Sequence, residues 1–177
     1  MELREVMQKR KSIRQYLTTP VEEEKVKAMI EAAILAPTWK NAQEIRYYVA
    51  VSEEKRQAVL DALGEGNRKK TQNAPVFLIS AVILNRAGFQ KDGSADNELG
   101  NGWGCYDLGL QNENLILKAT DLGLSTLIMG LREADRLREI LNIPETETIV
   151  SVIAIGIAAE EPIRPHRKPI EEIAKFF

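Results

Sequence analysis

The spacing of apolar residues after Pro20 predicts a helix with one buried face. Apolar side chains recur there at intervals of three and four residues, and we expect the helix to cover residues 20–35 and to stop before Pro37. Thr19 and Glu22 have the pattern of a capping box, with Pro20 in the first helical position. One face of this helix therefore packs against the rest of the protein.

Two long apolar runs predict strands that are covered on both faces. Residues 76–84 and residues 149–157 are rich in Val and Ile, and both are far shorter than the roughly 20 apolar residues that cross a bilayer. Shorter β-rich runs predict further strands at residues 47–51 and 126–129. The core therefore contains a sheet.

Helices are predicted between these strands. Ser52 is placed to cap a second helix over residues 53–63. Few charges interrupt residues 106–122, which predict a central buried helix, and residues 133–141 predict a short amphipathic one. Residues 170–177 predict a last turn or helix whose two terminal Phe residues need a surface to cover them.

Residues 85–104 are rich in Gly, Asn, Asp and Ser and predict a long surface loop. Loops of this length inside a compact domain are more often functional or mobile than inert. The chain shows no internal repeat and no low-complexity tract, so we interpret residues 1–177 as one α+β domain.

Composition excludes several classes of protein. The 177 residues carry 24 Lys plus Arg and 26 Asp plus Glu, a net charge of −2, so no overall positive field attracts nucleic acid or an anionic membrane. One Cys and one His exclude an internal disulfide framework and a Cys/His zinc site, and we predict no metal site, although carboxylate ligands stay open. Residues 1–14 lack the apolar stretch of a secretory signal, and we expect a cytoplasmic protein.

Familiar catalytic motifs are absent from the sequence. The chain has neither G-x-G-x-x-G after a strand nor G-x-x-x-x-G-K-[ST], which excludes a Rossmann turn and a P-loop. Cys105 lacks a nearby base, so we predict a buried structural thiol. His166 is predicted to be a surface residue.

Two basic segments carry the candidate chemistry. Arg10, Ser12 and Arg14 could hold a phosphate between two guanidinium groups and a hydroxyl, and Lys11 lies in the same segment. The alternative is the solvated basic end of a first helix. A second basic group occupies residues 164–168, so the two groups indicate either one anion site or two unrelated patches.

Polar side chains between these segments could face a heteroaromatic ring. Residues 36–43 join a helix to a strand and contain Thr38, Asn41 and Gln43. Amides donate and accept hydrogen bonds, which suits a ring edge with alternating N–H and C=O groups. The alternative is ordinary turn chemistry. Asn67 and Lys70 have the same two interpretations.

Five segments, in the same order along the chain, resemble the flavin-dependent nitroreductase family in its short form. They are residues 10–14 (RKSIR), residues 36–37 (AP) with 41–43 (NAQ), residues 67–70 (NRKK) before 74–75 (AP), residues 122–124 (LGL) leading to Gly130, and residues 167–172 (RKPIEE). The resemblance covers nearly the whole chain. It implies a central, mostly antiparallel sheet flanked by helices, in an intertwined homodimer with FMN at each end of the subunit interface.

The resemblance also implies roles for individual residues. Arg10, Ser12 and Arg167 would hold the ribityl phosphate, and Arg14, Asn67 and Lys70 would face the pyrimidine side of the ring. Pro37, Thr38, Trp39 and Asn41 would come from the other subunit. The Gly130 backbone N–H would approach flavin N5, with Met129 beside it.

The activity that this resemblance implies is FMN-dependent oxidation of NADH or NADPH. A nitroaromatic, quinone or related electron-poor acceptor would then take the hydride in a two-step ping-pong cycle, and no side chain need act as a general acid or base. A fixed cation at Arg14 or Lys70 would favour the reduced flavin. The alternatives are a specialised flavin enzyme such as a dehalogenase or dehydrogenase, a non-catalytic FMN-binding or storage dimer, and a structural α+β domain with scattered surface charges.

Three departures from the family pattern bear on the site. Residues 85–104 replace a long helical insertion, so Trp103 or Phe89 would form what lid exists. Residues 44–46 are Glu, Ile and Arg where Pro and Trp are common, which could change the interface near the flavin. Pro165 stands where Lys is usual, and Arg164 could substitute for it.

Overall fold

A four-stranded antiparallel sheet lies at the centre of the computed structural model, which describes residues 1–177. The strands are β1 (Ile45–Ala50), β2 (Val76–Ile83), β3 (Ser125–Met129) and β4 (Glu147–Gly156), in the spatial order β1-β2-β4-β3. The helices are α1 (Leu3–Lys9), α2 (Glu23–Ala33), α3 (Glu53–Asp61), α4 (Glu65–Thr71), α5 (Gly102–Asp121), α6 (Ala134–Leu141) and the single turn α7 (Ile170–Ile173). A 3₁₀ turn covers Trp39–Asn41.

The two apolar runs of the sequence form the middle of the sheet. β2 and β4 pair in antiparallel register from Val76 opposite Ile155 to Ile83 opposite Glu147, with a bulge after Ser80. Both strands are buried along most of their length because helices cover both faces. This confirms the predicted α+β class with an antiparallel sheet.

Helices build one apolar core on each face of the sheet. On one face, α2 and the long helix α5 bury Met29, Leu78 and Leu115. On the other face, α3 and α6 bury Val59, Phe77 and Leu137. Burial of these side chains supplies the main free energy of folding, at about 25 cal/mol per Å² of apolar surface.

Several boundary predictions are confirmed and one cap is wrong. Ser52 caps α3, and its Oγ accepts a hydrogen bond from the Lys55 backbone N–H at 3.3 Å. The predicted capping box of Thr19 with Glu22 does not form, because α2 begins only at Glu23 and has no side-chain cap. The Leu17 N–H instead donates to the Ile157 carbonyl at 2.9 Å, and this holds the chain before α2 in an extended form.

One helix is missing from the sequence predictions, and one predicted burial is wrong. α4 was not predicted, because its sequence EGNRKKT has no apolar stripe; the pairing of Lys69 with Glu65 at 2.7 Å accompanies this short helix. Cys105 is exposed, so the predicted buried thiol is wrong. Cys105 lies on the outer face of the first turn of α5, next to the buried Gly104. His166 is exposed, as predicted.

The C-terminal segment lies outside both cores. The side chain of Phe176 is 87% exposed, and α7 contains no buried residue. No helix in the structure combines the length and the apolar character that crossing a membrane requires.

Candidate functional site

An extended segment at residues 12–17 fixes the position of the first basic group. The Ile13 N–H donates to the Thr126 carbonyl at 3.1 Å, which attaches the segment to the edge of β3. Ile13 and Tyr16 are buried, and the Tyr16 hydroxyl donates to the Ile13 carbonyl at 3.0 Å. Burial also raises the pKa of the Tyr16 phenol well above its usual value. With these two side chains buried, Arg14 is exposed to solvent.

The two basic groups of the sequence meet in one cavity. This basic cavity has a volume of about 90 Å³ and joins residues from both ends of the chain. Its basic and hydroxyl-bearing lining residues are Arg10, Lys11, Ser12, Arg14, Arg164 and Arg167. The fold therefore supports the interpretation of the two basic groups as one anion site and not as two unrelated patches.

Hydrogen bonds and one ion pair hold several side chains of the basic cavity in place. Arg164 Nη1 donates to the Gln8 carbonyl at 3.1 Å, which ties the C-terminal segment to the end of α1. Arg167 Nη1 donates to the Pro165 carbonyl at 3.2 Å, and Lys11 pairs with Glu161. Arg164 thus lies in the cavity where the family pattern has a Lys one residue later.

A larger cleft continues from the basic cavity. It has a volume of about 590 Å³ and shares Arg14 and Pro162 with the basic cavity. Lys69 and Lys70 from α4 line its far side. Glu160 lies in the cleft as well, and its carboxylate accepts a hydrogen bond from the Arg14 backbone N–H at 2.8 Å.

The donors in the basic cavity and large cleft fit FMN, the cofactor that the resemblance implies. A phosphate only accepts hydrogen bonds, and the basic cavity presents guanidinium, ammonium and hydroxyl donors to it. Arg14 and Lys70 add donors and positive charge in the cleft, where a flavin's carbonyl groups could accept. The structure contains no group of three or more His, Cys, Asp or Glu side chains that could hold a metal ion.

Asn67 contacts the residue that follows Gly130, and neither Asn67 nor Gly130 lines the large cleft. Asn67 Nδ2 donates to the Leu131 carbonyl at 3.2 Å, and the Gly64 N–H reaches the same oxygen at 3.4 Å. These bonds attach α4 to the turn that follows β3. Gly130 is exposed in this turn, with no heavy atom within 4 Å of where a Cβ would lie. The Met129 side chain is 3% exposed and belongs to the core.

The segment at residues 38–43, here called the Trp39 turn, lies at a separate place. Thr38 and Asn41 line a third cavity of about 250 Å³ with Gln43, and neither residue lines the large cleft. Pro37 is exposed and lines neither space. Lys40, Asn41 and Gln43 have φ angles of 47°, 57° and 49°, a left-handed conformation that is uncommon outside glycine.

Trp39 points toward its own subunit's long loop. Its ring packs on Trp103 with centroids 4.4 Å apart, and its Nε1 donates to Asp96 at 3.2 Å. Asp96 also pairs with Lys40 at 2.8 Å. Trp103 in turn donates to Asn97 at 2.8 Å. The loop at residues 84–101 is therefore bound to the Trp39 turn.

Sequence reasoning did not assign a role to Glu44 and Asp107. Glu44 is fully buried, and neither of its carboxyl oxygens has a hydrogen-bond partner. Burial and the neighbouring Asp107 carboxyl raise the pKa of Glu44 above its usual range. The signal in the sequence for Glu44 is the departure from the family pattern at residues 44–46, which are Glu, Ile and Arg where Pro and Trp are common.

Comparisons with known proteins agree on one family. The model of the Nitroreductase family matches residues 7–157. The chain is 28% identical over 172 residues to an FMN reductase [NAD(P)H] of Bacillus subtilis, and the match covers 92% of this chain and 68% of that protein. It is 27% identical over 162 residues to an NADPH-flavin oxidoreductase of Vibrio harveyi, covering 90% of this chain and 67% of that protein.

Solved structures show the same fold. A nitroreductase family protein of Streptococcus pneumoniae superimposes with a TM-score of 0.87 at 20% identity, over 99% of this chain and all of that one (100%). At this identity the likeness concerns the fold alone.

Proposed function

The chain belongs to the nitroreductase family, and on that premise we propose that it is an FMN-dependent NAD(P)H oxidoreductase that reduces electron-poor acceptors such as nitroaromatics and quinones. The names of the relatives in Bacillus subtilis and Vibrio harveyi support the cofactor and the reductant. We further propose that residues 1–177 act as one FMN-binding domain. The observation that carries the proposal is the basic cavity that continues into the large cleft.

The basic cavity supports binding of the FMN phosphate. Arg10 and Ser12 from one end of the chain and Arg167 from the other line it together. Charged hydrogen bonds of this kind contribute about 1.5 to 3 kcal/mol each. Lys11 belongs to the same set, although its pairing with Glu161 partly neutralises it. Arg164 supplies the charge that Pro165 lacks.

The cleft supports binding of the flavin ring. A bound FMN would supply the hydride chemistry between NAD(P)H and the acceptor. Arg14 and Lys70 place positive charge in the cleft, and positive charge stabilises electrons added to the ring. Asn67 holds the turn that carries Gly130 and so sets the backbone N–H that we assign to the N5 side of the ring. Met129 anchors the same turn in the core.

A second copy of the chain completes the site in this proposal. The Trp39 turn does not line the cleft of its own subunit. Pro37, Thr38, Trp39 and Asn41 are therefore assigned to the flavin site of the other subunit, in a homodimer. The turn is held rigidly by Asp96 and Trp103, as a segment that contacts a partner's cofactor needs to be.

Steady-state kinetics test this function. Rates are measured with NADH or NADPH and a quinone, with both concentrations varied, and free FMN at the same concentration is the control. Because donor and acceptor would occupy the same place in turn, we expect parallel lines in a double-reciprocal plot. Intersecting lines would contradict the two-step exchange, and a rate no higher than the free FMN control would contradict the function.

A further inference from the structure

Glu44 and Asp107 form a pair of buried carboxyl groups between β1 and α5. Glu44 is 0% exposed and Asp107 is 3% exposed. Two neighbouring buried carboxylates do not readily both ionise, because each charge raises the free energy of the other. One proton held by the pair removes that repulsion.

The hydrogen bonds decide which carboxyl keeps its charge. Asp107 Oδ2 accepts a hydrogen bond from the Trp39 backbone N–H at 2.6 Å, and a donor of this kind stabilises a carboxylate. Glu44 has no such donor. The proton therefore belongs on Glu44, where the acid O–H can donate to Asp107.

Each residue of this pair is connected to one end of the Trp39 turn. Asp107 holds the backbone of Trp39 at the start, and Glu44 follows Gln43 directly at the end. The Glu44 carbonyl also accepts the Ile83 N–H at 2.9 Å, which attaches this end to β2. The left-handed φ angles between the two ends cost energy that these contacts must offset.

We propose that Glu44 and Asp107 share one proton and that this proton positions the Trp39 turn. Glu44 is a positioning residue in this account, since it acts on the turn through Asp107. Its effect on flavin binding rests on the proposed function, in which the turn contacts the cofactor of the other subunit. Loss of the proton leaves two buried negative charges that repel each other. The Trp39 turn then changes conformation so that water can solvate these charges.

Other charged groups near the pair modify the titration. Arg86, in the loop after β2, attracts the Glu44 charge and so opposes the shift. On the Trp39 turn, Lys40 is paired with Asp96 of the long loop and its charge is partly neutralised. From α5, the facing ionisable group is Asp107 itself.

The two tryptophans of the chain make the proposal testable without a cofactor. Trp39 on the turn packs against Trp103 of α5, so both indole signals of the chain report on this cluster. The indole N–H resonances of the full-length protein without added flavin are followed by ¹⁵N–¹H NMR from about pH 5.5 to about pH 9, a range that spans the shifted titration. We expect the Trp39 resonance to titrate in the neutral range in the wild type and to stay constant in Glu44→Gln.

Two further variants make the test specific. Asp107→Asn keeps an oxygen for the Trp39 N–H and removes the neighbouring negative charge, so Glu44 still titrates but at a lower pH than in the wild type. Glu147→Gln is the matched control, because Glu147 is also buried but accepts the Tyr48 hydroxyl at 2.7 Å. The titration persists in that control. A wild type without a titration, or an unchanged one in Glu44→Gln, would overturn the proposal.

Flavin affinity gives the second measurement. We expect the Kd for FMN to rise several-fold across the same pH range in the wild type and to stay level in Glu44→Gln. A level wild-type Kd together with a titrating Trp39 would overturn the positioning role. Complete failure to bind FMN would refute the proposed function, and the NMR result would still decide whether the proton is shared.

Discussion

Arg10 and Arg167 line one cavity although they lie near opposite ends of the chain. The segment that follows Arg10 is attached to β3 by the hydrogen bond from the Ile13 N–H. The bond from Arg164 to the Gln8 carbonyl holds the C-terminal segment, which contains Arg167, against the end of α1. Arg14 links this cavity to the large cleft. The cavity that we assign to the phosphate and the cleft that we assign to the flavin ring are thus contiguous, with Arg14 at their boundary.

Removing either arginine should weaken the binding of FMN selectively. Arg10→Ala and Arg167→Ala each lose a charged hydrogen bond to the phosphate, so Kd should rise about tenfold to a hundredfold. Riboflavin has no phosphate, and its affinity should change little. Fluorescence titration measures both ligands. Equal losses for riboflavin and FMN would show that the two arginines act on something other than the phosphate.

Lys70 should set the reduction potential of bound FMN. Lys70→Gln removes a positive charge from the cleft and should lower the midpoint potential by on the order of 30 mV. Arg68→Gln is the control on the same helix, because Arg68 pairs with Asp61 at 3.7 Å and does not line the cleft. A potential that falls equally in both variants would indicate a general charge effect.

Glu44 should make the protein less stable as pH rises. The pKa of Glu44 is raised to about 7, against about 4.3 in an unfolded chain, so the folded state holds more protons between these values. Its contribution to stability is complete below about pH 4 and is lost as pH rises through about 7. Glu44→Gln should remove this loss.

Thermal unfolding at several pH values measures the effect. At about pH 8, Glu44→Gln should be more stable than the wild type by on the order of 3 to 4 kcal/mol, since the pKa of Glu44 is raised by nearly three units and each unit corresponds to about 1.4 kcal/mol. Glu54 is exposed on α3, and Glu54→Gln serves as control. A wild-type stability that does not fall between about pH 5 and about pH 8 would contradict the burial of an acidic Glu44.

Mixed dimers should restore a shared site. One parent carries Arg10→Ala with Arg167→Ala, and the other carries Thr38→Ala with Asn41→Ala. Each parent alone should bind FMN weakly. A co-expressed mixed dimer combines both pairs of changes in one site and leaves the other site intact, so it should bind one FMN with wild-type affinity. Binding no tighter than in the parents would contradict a site built from two subunits.

Local sequence patterns sufficed where local physics decides the structure. The Val- and Ile-rich runs that form β2 and β4, and the cap at Ser52, follow from spacing and residue type alone. The basic segments were recognisable as anion-binding candidates for the same reason. The two segments meet in one cavity because of long-range packing. Local sequence patterns do not encode this packing, so the sequence alone could not distinguish one anion site from two unrelated patches.

Long-range contacts also explain what the sequence did not predict. α4 lacks an apolar stripe and is held through Asn67 and Gly64 to the Leu131 carbonyl, a contact that no local pattern encodes. The pairing of Glu44 with Asp107 brings together two elements far apart in the chain. The prediction for Cys105 is wrong because residue type favours burial of a free thiol, whereas Cys105 lies on the outer face of the first turn of α5.

The most direct test of the proposed function is the visible absorption spectrum of the purified protein before and after NADH or NADPH is added without oxygen. The account predicts a flavin spectrum, present at once or after reconstitution with FMN, that bleaches with one of the two nucleotides and returns when a quinone is added. A colourless protein that does not take up FMN would contradict the flavin site. A flavin spectrum that persists with both nucleotides would contradict the NAD(P)H oxidoreductase activity and leave a storage role.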